Sequence, residues 1–121
     1  MAWTVEYTDE FGKWWDSLNE AEQEDIYAYV GLLEQKGPNL DFPYSSKIVG
    51  SRFEKMRELR PQHKGRPYRV FYAFDPHRAA ILLIGGDKTG DDRFYEKYTP
   101  LADKIYEHHL KEIEKEGKNH G

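Results

Sequence analysis

Arg60, Arg69, Lys88, Arg93 and Tyr95 are residues whose types could act together on a phosphodiester. Fixed cations suit cleavage of RNA by its own 2′-hydroxyl. Negative charge grows on the phosphorane in the transition state, and one preorganised donor there is worth about 3–4 kcal/mol. Such a cleavage requires no metal and no cofactor, only orientation, charge stabilisation and proton transfer. Tyr95, Lys88 or Glu58 could move the protons, and a cationic cleft is expected to lower the pKa of a tyrosine inside it. Arg57, Glu58, His63, Lys64 and Arg66 lie close by in sequence and are candidates for holding the nucleic acid. Any one of these residues alone reads as well as a solvated or salt-bridged strand position. Their recurrence beside core residues is what marks a cleft.

Three strand-like runs carry the set. Phe53 to Arg60 does not alternate cleanly: Met56, Glu58 and Arg60 share one side, Arg57 and Leu59 the other, so the direction of Arg57 stays open. Tyr68, Val70, Tyr72 and Phe74 face one way, and Arg69, Phe71 and Ala73 the other. Asp75-Pro76-His77-Arg78 is a turn, and Ala79 to Ile84 is apolar without alternation, as in a central strand covered on both faces. Arg60 and Arg69 lie on adjacent runs and Lys88 ends the third, so all three can reach one cleft.

Around this sheet the chain predicts a strand at Trp3–Tyr7, then a helix capped by Thr8 or Asp9. The stripe Phe11, Trp14, Trp15, Leu18 has helical spacing and reads as core. Asn19 and Glu22 form a capping box for a second helix with the stripe Ile26, Tyr29, Val30, Leu33, ended by Gly37-Pro38. Residues 39–52 and Pro61–Pro67 read as loops. Thr99-Pro100 can open a last helix with the stripe Leu101, Ile105, Tyr106, His109, Leu110, Ile113. The expected architecture is α+β: a helical hairpin on one face of a small, mainly antiparallel sheet, plus a C-terminal helix, with the other face left to the arginines. One domain is expected over residues 1–116, with a frayed tail at 117–121.

Charge is segregated. Residues 1–46 hold 2 basic against 10 acidic side chains, residues 47–78 hold 9 against 3, and residues 79–121 hold 7 against 9, for a net charge of −4. Screening limits surface fields to roughly 8–10 Å in physiological salt, so the local balance decides what docks, and the basic middle is the candidate binding face. There is no cysteine, which excludes disulfides, thiolate metal sites and a cysteine nucleophile. No secretory leader and no membrane span are visible, so a cytoplasmic protein is expected.

Other motifs fail on spacing. A phosphate loop ending at Lys88 needs glycine where Asp87 and Leu82 stand. Lys88-Thr89-Gly90 lacks the Ser-x-x-Lys partner of serine β-lactamases. His108 and His109 are adjacent on a helix and point about 100° apart, which is wrong for chelation.

Met56-Arg57-Glu58-Leu59-Arg60, then Tyr68-Arg69-Val70-Phe71-Tyr72, then Ile81-Leu82-Leu83-Ile84-Gly85-Gly86-Asp87-Lys88-Thr89-Gly90 resemble the RelE/HigB toxins of bacterial toxin–antitoxin modules, most nearly the HigB-like branch. The order of elements along the whole chain follows that family. The resemblance implies a ribosome-dependent mRNA endonuclease that cuts mRNA in the ribosomal A site, halts translation, and is held inactive by a cognate antitoxin, expected to be a helix-turn-helix protein. It also implies cleavage-site roles for Arg60, Arg69, Lys88 and Tyr95, with Arg93 added. Two other functions fit the same fold: a toxin that poisons gyrase, as ParE-type proteins do, and a catalytically silent RNA- or protein-binding module.

Overall fold

The computed structural model describes residues 2–120, with side chains through Gly117. Strand β1 (Val5–Tyr7) leads into helices α1 (Asp9–Asp16) and α2 (Glu20–Lys36). The chain then forms β2 (Ser45–Lys47), β3 (Arg57–Leu59), β4 (Gln62–His63), β5 (Arg66–Phe74) and β6 (Ala80–Asp87), and ends in α3 (Phe94–His120). The sheet order is β1-β6-β5-β3-β2, with β4 paired to the start of β5. Among the described residues only β1 and β6 run parallel; the other pairs are antiparallel.

Local chemistry sets the helix ends. The Thr8 side chain accepts from the Phe11 N–H, and Asn19 and Glu22 exchange both bonds of a capping box. Gly37 ends α2 at φ 54, where a Cβ would also strike the Trp3 ring. The period-two reading of β5 is repeated in the packing. Tyr68, Val70 and Tyr72 join Phe11, Ile26, Val30 and Leu33 beneath the helical hairpin. Phe71 and Ala73 join Met56, Ile81, Leu83, Phe94, Ile105 and Tyr106 on the opposite face. Strand β6 supplies both clusters, Ala80 and Leu82 to one and Ile81 and Leu83 to the other, so it is covered on both sides.

Several expectations are corrected. The second sheet face is not left to the arginines, because α3 lies across it and builds a core of its own. That helix begins at Phe94 rather than at Thr99-Pro100, and Pro100 sits inside it. Packing outweighs propensity here: Phe94 and Tyr98 stack on one another at 4.3 Å and on Phe71. Gly86 makes this approach possible, since a Cβ there would meet Tyr98 and Phe94 within 2.9 Å. Leu101, expected in the buried stripe, is exposed, and Ala102 is buried instead. Strand β2 lies within the stretch read as a loop, and β4 within the second loop. Of the expected strand Trp3–Tyr7, only Val5–Tyr7 pairs, and Tyr7 is exposed. The tail expected at 117–121 falls largely on side chains outside the described ones.

Candidate functional site

Glu58 is the hub of a polar cluster on the α3 face. It lies mid-strand in β3, opposite Phe71 of β5 on one side and Ser46 of β2 on the other. The two-residue period puts Arg60 on the same face, two positions along β3, and Arg69 on the same face of β5, two before Phe71. Tyr95 arrives from the first turn of α3, its ring 6.2 Å from Phe71 and 5.3 Å from Phe94. Arg69 stands opposite Gly86, which has no side chain to separate strand from helix.

The carboxylate is fully engaged. Its Oε1 accepts the Tyr95 hydroxyl at 2.7 Å and lies 3.5 Å from Arg69 Nε. Its Oε2 accepts Ser46 Oγ at 2.8 Å and a terminal nitrogen of Arg60 at 3.2 Å. Arg69 also donates to the Tyr95 oxygen at 3.3 Å and to the Tyr68 carbonyl at 2.8 Å. Glu58 is 4% exposed and Arg69 5%, whereas Arg60 is half-buried and opens toward solvent. Lys88 Nζ sits 5.8 Å from the centroid of the Tyr95 ring. The arginines are therefore not bare cations. Two guanidiniums share one carboxylate, which leaves one positive charge in excess, and Lys88 adds a second.

Tyr95 departs from expectation. Burial, and after it the hydrogen bond and charge of Glu58, raise its pKa above the usual tyrosine value against the opposing pull of Arg69. The cationic cleft does not lower it, because burial, joined by the Glu58 anion, outweighs Arg69. Tyr95 is thus a protonated donor at neutral pH, able to pass a proton rather than to accept one.

The other expected residues lie elsewhere. Arg57 points to the opposite face, donating to Ser45 Oγ at 3.1 Å and toward the Leu40 carbonyl. His63 is buried beside α2, its Nδ1 2.6 Å from Asp25. Arg66 pairs with Asp87 at 3.2 Å and lies over the Tyr68 ring. Lys64 is exposed at a turn with φ 49. Arg93 is exposed ahead of α3, where its backbone N–H meets Asp91. None of these five joins the Glu58 cluster. Ser46, which does, had no signal in the sequence, since a serine in a polar stretch is unremarkable until β2 pairs with β3.

A second network stabilises the hairpin side. The Tyr68 hydroxyl donates to Glu22, and burial followed by that bond pushes the Tyr68 pKa from 10.0 to about 12. Glu22 is lowered, first by the Tyr68 bond. A raised phenol stabilises the fold fully below its unfolded pKa, and that contribution is lost as pH climbs from 10.0 to about 12. Alkaline unfolding followed by circular dichroism should therefore lose stability across that window, and Tyr68→Phe should shrink the loss, leaving the parts due to Tyr95 and Tyr106, whose pKa values burial also raises.

Residues 13–107 match the family described as phage-derived protein Gp49-like (DUF891). The chain is 41% identical to the toxin candidate HigB3 of Mycobacterium tuberculosis over 99 residues, covering 81% of this chain and 85% of that protein. It is 34% identical to the toxin candidate HigB2 of the same organism, covering 94% of this chain but only 57% of HigB2. The fold resembles a double mutant of the E. coli toxin RelE in the free state, with TM-score 0.57 at 14% identity over 79% of this chain and 94% of RelE. It also resembles the archaeal RelE–RelB complex from Pyrococcus horikoshii, with TM-score 0.54 at 17% identity over 74% of this chain and 99% of that one. This chain belongs to the Gp49-like family and, with HigB3 and HigB2, to the HigB toxins, and it has the fold of RelE.

Proposed function

We propose that this toxin is a metal-independent endoribonuclease that cleaves mRNA on the ribosome, and that a cognate antitoxin, as in the RelE–RelB complex, holds it inactive. The observation that carries the reading is the convergence of Glu58, Arg60, Arg69 and Tyr95 from β3, β5 and α3 onto one half-open patch, with Lys88 beside it. Glu58 is the proton acceptor for the attacking 2′-hydroxyl. Arg69, fixed by the Tyr68 carbonyl, carries the charge that builds on the phosphorane. Arg60 is the guanidinium free to swing outward, so an entering phosphate can take it from Glu58 and free one carboxylate oxygen for the 2′-hydroxyl. Tyr95, protonated, or Lys88 returns a proton to the leaving 5′-oxygen.

One observation favours a second reading. A carboxylate that already occupies both guanidiniums suits a toxin that acts by binding a protein, such as a gyrase poison, or a silent module. Expression without antitoxin separates the readings. Growth arrest with mRNA cut inside translated regions is expected, whereas intact transcripts together with DNA damage would assign the toxin to gyrase.

A further inference from the structure

Beside the cluster lies an aromatic ring that nothing in the fold requires. Phe42 is 68% exposed, and the loop backbone that carries it is held by hydrogen bonds. Its own N–H donates to Asp41 Oδ1 at 2.8 Å, and the Asp41 carbonyl accepts from the N–H groups of Tyr44 and Ser45. The Tyr44 carbonyl in turn accepts from the Arg60 N–H at 3.0 Å, tying this loop to the end of β3. Above the ring lies the Arg60 guanidinium, 5.2 Å from its centroid, the same group that reaches Glu58. A single side chain thus spans the exposed ring and the reacting patch.

Other aromatics lack this combination. Trp3, Phe53, Tyr68 and Tyr95 also have a cation over the ring, but each is buried or half-buried. Tyr7 and Tyr27 are exposed but line a groove shared with Asp16 and Glu34, whose charges repel a phosphate chain. Among the described residues, Phe42 alone is an exposed ring bearing a guanidinium of the candidate site.

We infer that Phe42 and Arg60 form a stacking shelf for one unpaired nucleobase next to the phosphate being cleaved, a purine in preference for its larger face. A base has a flat π surface and its neighbouring phosphate a full charge; an exposed ring with a guanidinium lying over it offers a stacking platform and a cation at once. Stacking of this kind tolerates sequence and holds a strand extended, which is the geometry in-line attack by a 2′-hydroxyl needs. The inference rests on the nuclease reading for the choice of RNA as ligand and for the cleaved phosphate beside the base; the stacking itself does not.

The test uses the full chain and a 2′-O-methyl triadenylate, which cannot be cleaved, beside the same trinucleotide lacking its central base. Titration to millimolar concentration followed by NMR should move the Phe42 ring and Arg60 Nε signals saturably with the intact probe. Phe42→Leu should weaken intact-probe binding about tenfold and leave abasic-probe binding unchanged. Unmoved Phe42 signals overturn the shelf, whether the probe binds elsewhere or not at all. So does an equal loss for both probes in Phe42→Leu, or a Phe42→Leu chain that keeps probe affinity but no longer copurifies with antitoxin, which would make the ring a protein contact. Transcript cleavage in cells is scored separately with the unsubstituted chain. Uncut mRNA there removes the nuclease reading, while the titration still decides the shelf.

Discussion

Glu58→Gln is expected to lower mRNA cleavage by about 10²- to 10⁴-fold, the usual range for a positioned general base. The amide keeps the shape of the side chain but cannot take a proton. It also cannot satisfy its surroundings, since its NH₂ must face donors on either side, Tyr95 and Arg69 or Ser46 and Arg60. With the anion gone, buried Arg69 loses its counter-charge, so stability should fall by about 3–5 kcal/mol as well. Ser46→Ala separates the two effects. It removes one hydrogen bond to a charged carboxylate, worth about 1.5–3 kcal/mol, but leaves the carboxylate in place. Thermal melting together with transcript mapping should find Ser46→Ala moderately less stable but active, and Glu58→Gln inactive well below its melting temperature. Full toxicity of Glu58→Gln would remove the proton acceptor from the mechanism.

Arg69→Ala should also be inert, with cleavage down about 10²- to 10³-fold, because the group proposed to meet the phosphorane charge is gone. From sequence alone this variant is expected to stay folded and lose only toxicity. The structure adds a cost. Arg69 is 5% exposed and bonded to Glu58, Tyr95 and the Tyr68 carbonyl, so truncation strips a buried carboxylate of one partner and loses about 3–5 kcal/mol. Against a total of about 5–15 kcal/mol that is a large drop in melting temperature. Arg69→Lys keeps the charge without the planar fork and should recover more stability than cleavage. A toxic, well-folded Arg69→Ala would leave the cleft without its role.

The alternation in β5 was readable because period two needs only the strand itself. Tyr68, Val70 and Tyr72 pack under the hairpin, while Arg69 and Phe71 face α3. The capping box at Asn19 and Glu22 was readable for the same reason, being a bond between residues three apart. What stayed hidden depends on partners distant in sequence. Ser45-Ser46-Lys47 has no apolar pattern and becomes a strand only by pairing with Arg57–Leu59. The start of α3 is set by aromatic stacking over Gly86, not by Thr99-Pro100. From sequence Glu58 reads both as a nucleic-acid contact and as one of three candidates to move a proton, and it shares a strand face with Arg60. Only the fold puts it between two arginines and a tyrosine, where burial first, and then the bond and charge of Glu58, raise the Tyr95 pKa against the pull of Arg69.

Tyr95 rides on an element whose fastenings lie well beyond it: Asp103 accepts from Ser51 and the Arg52 backbone, and His109 meets Asp75 at 3.0 Å. The strands that supply Glu58 and Arg69 leave the translating ribosome before those fastenings are made. A nascent polypeptide therefore carries its arginines early and its phenol late, and the candidate constellation closes only once that final helix has emerged and docked.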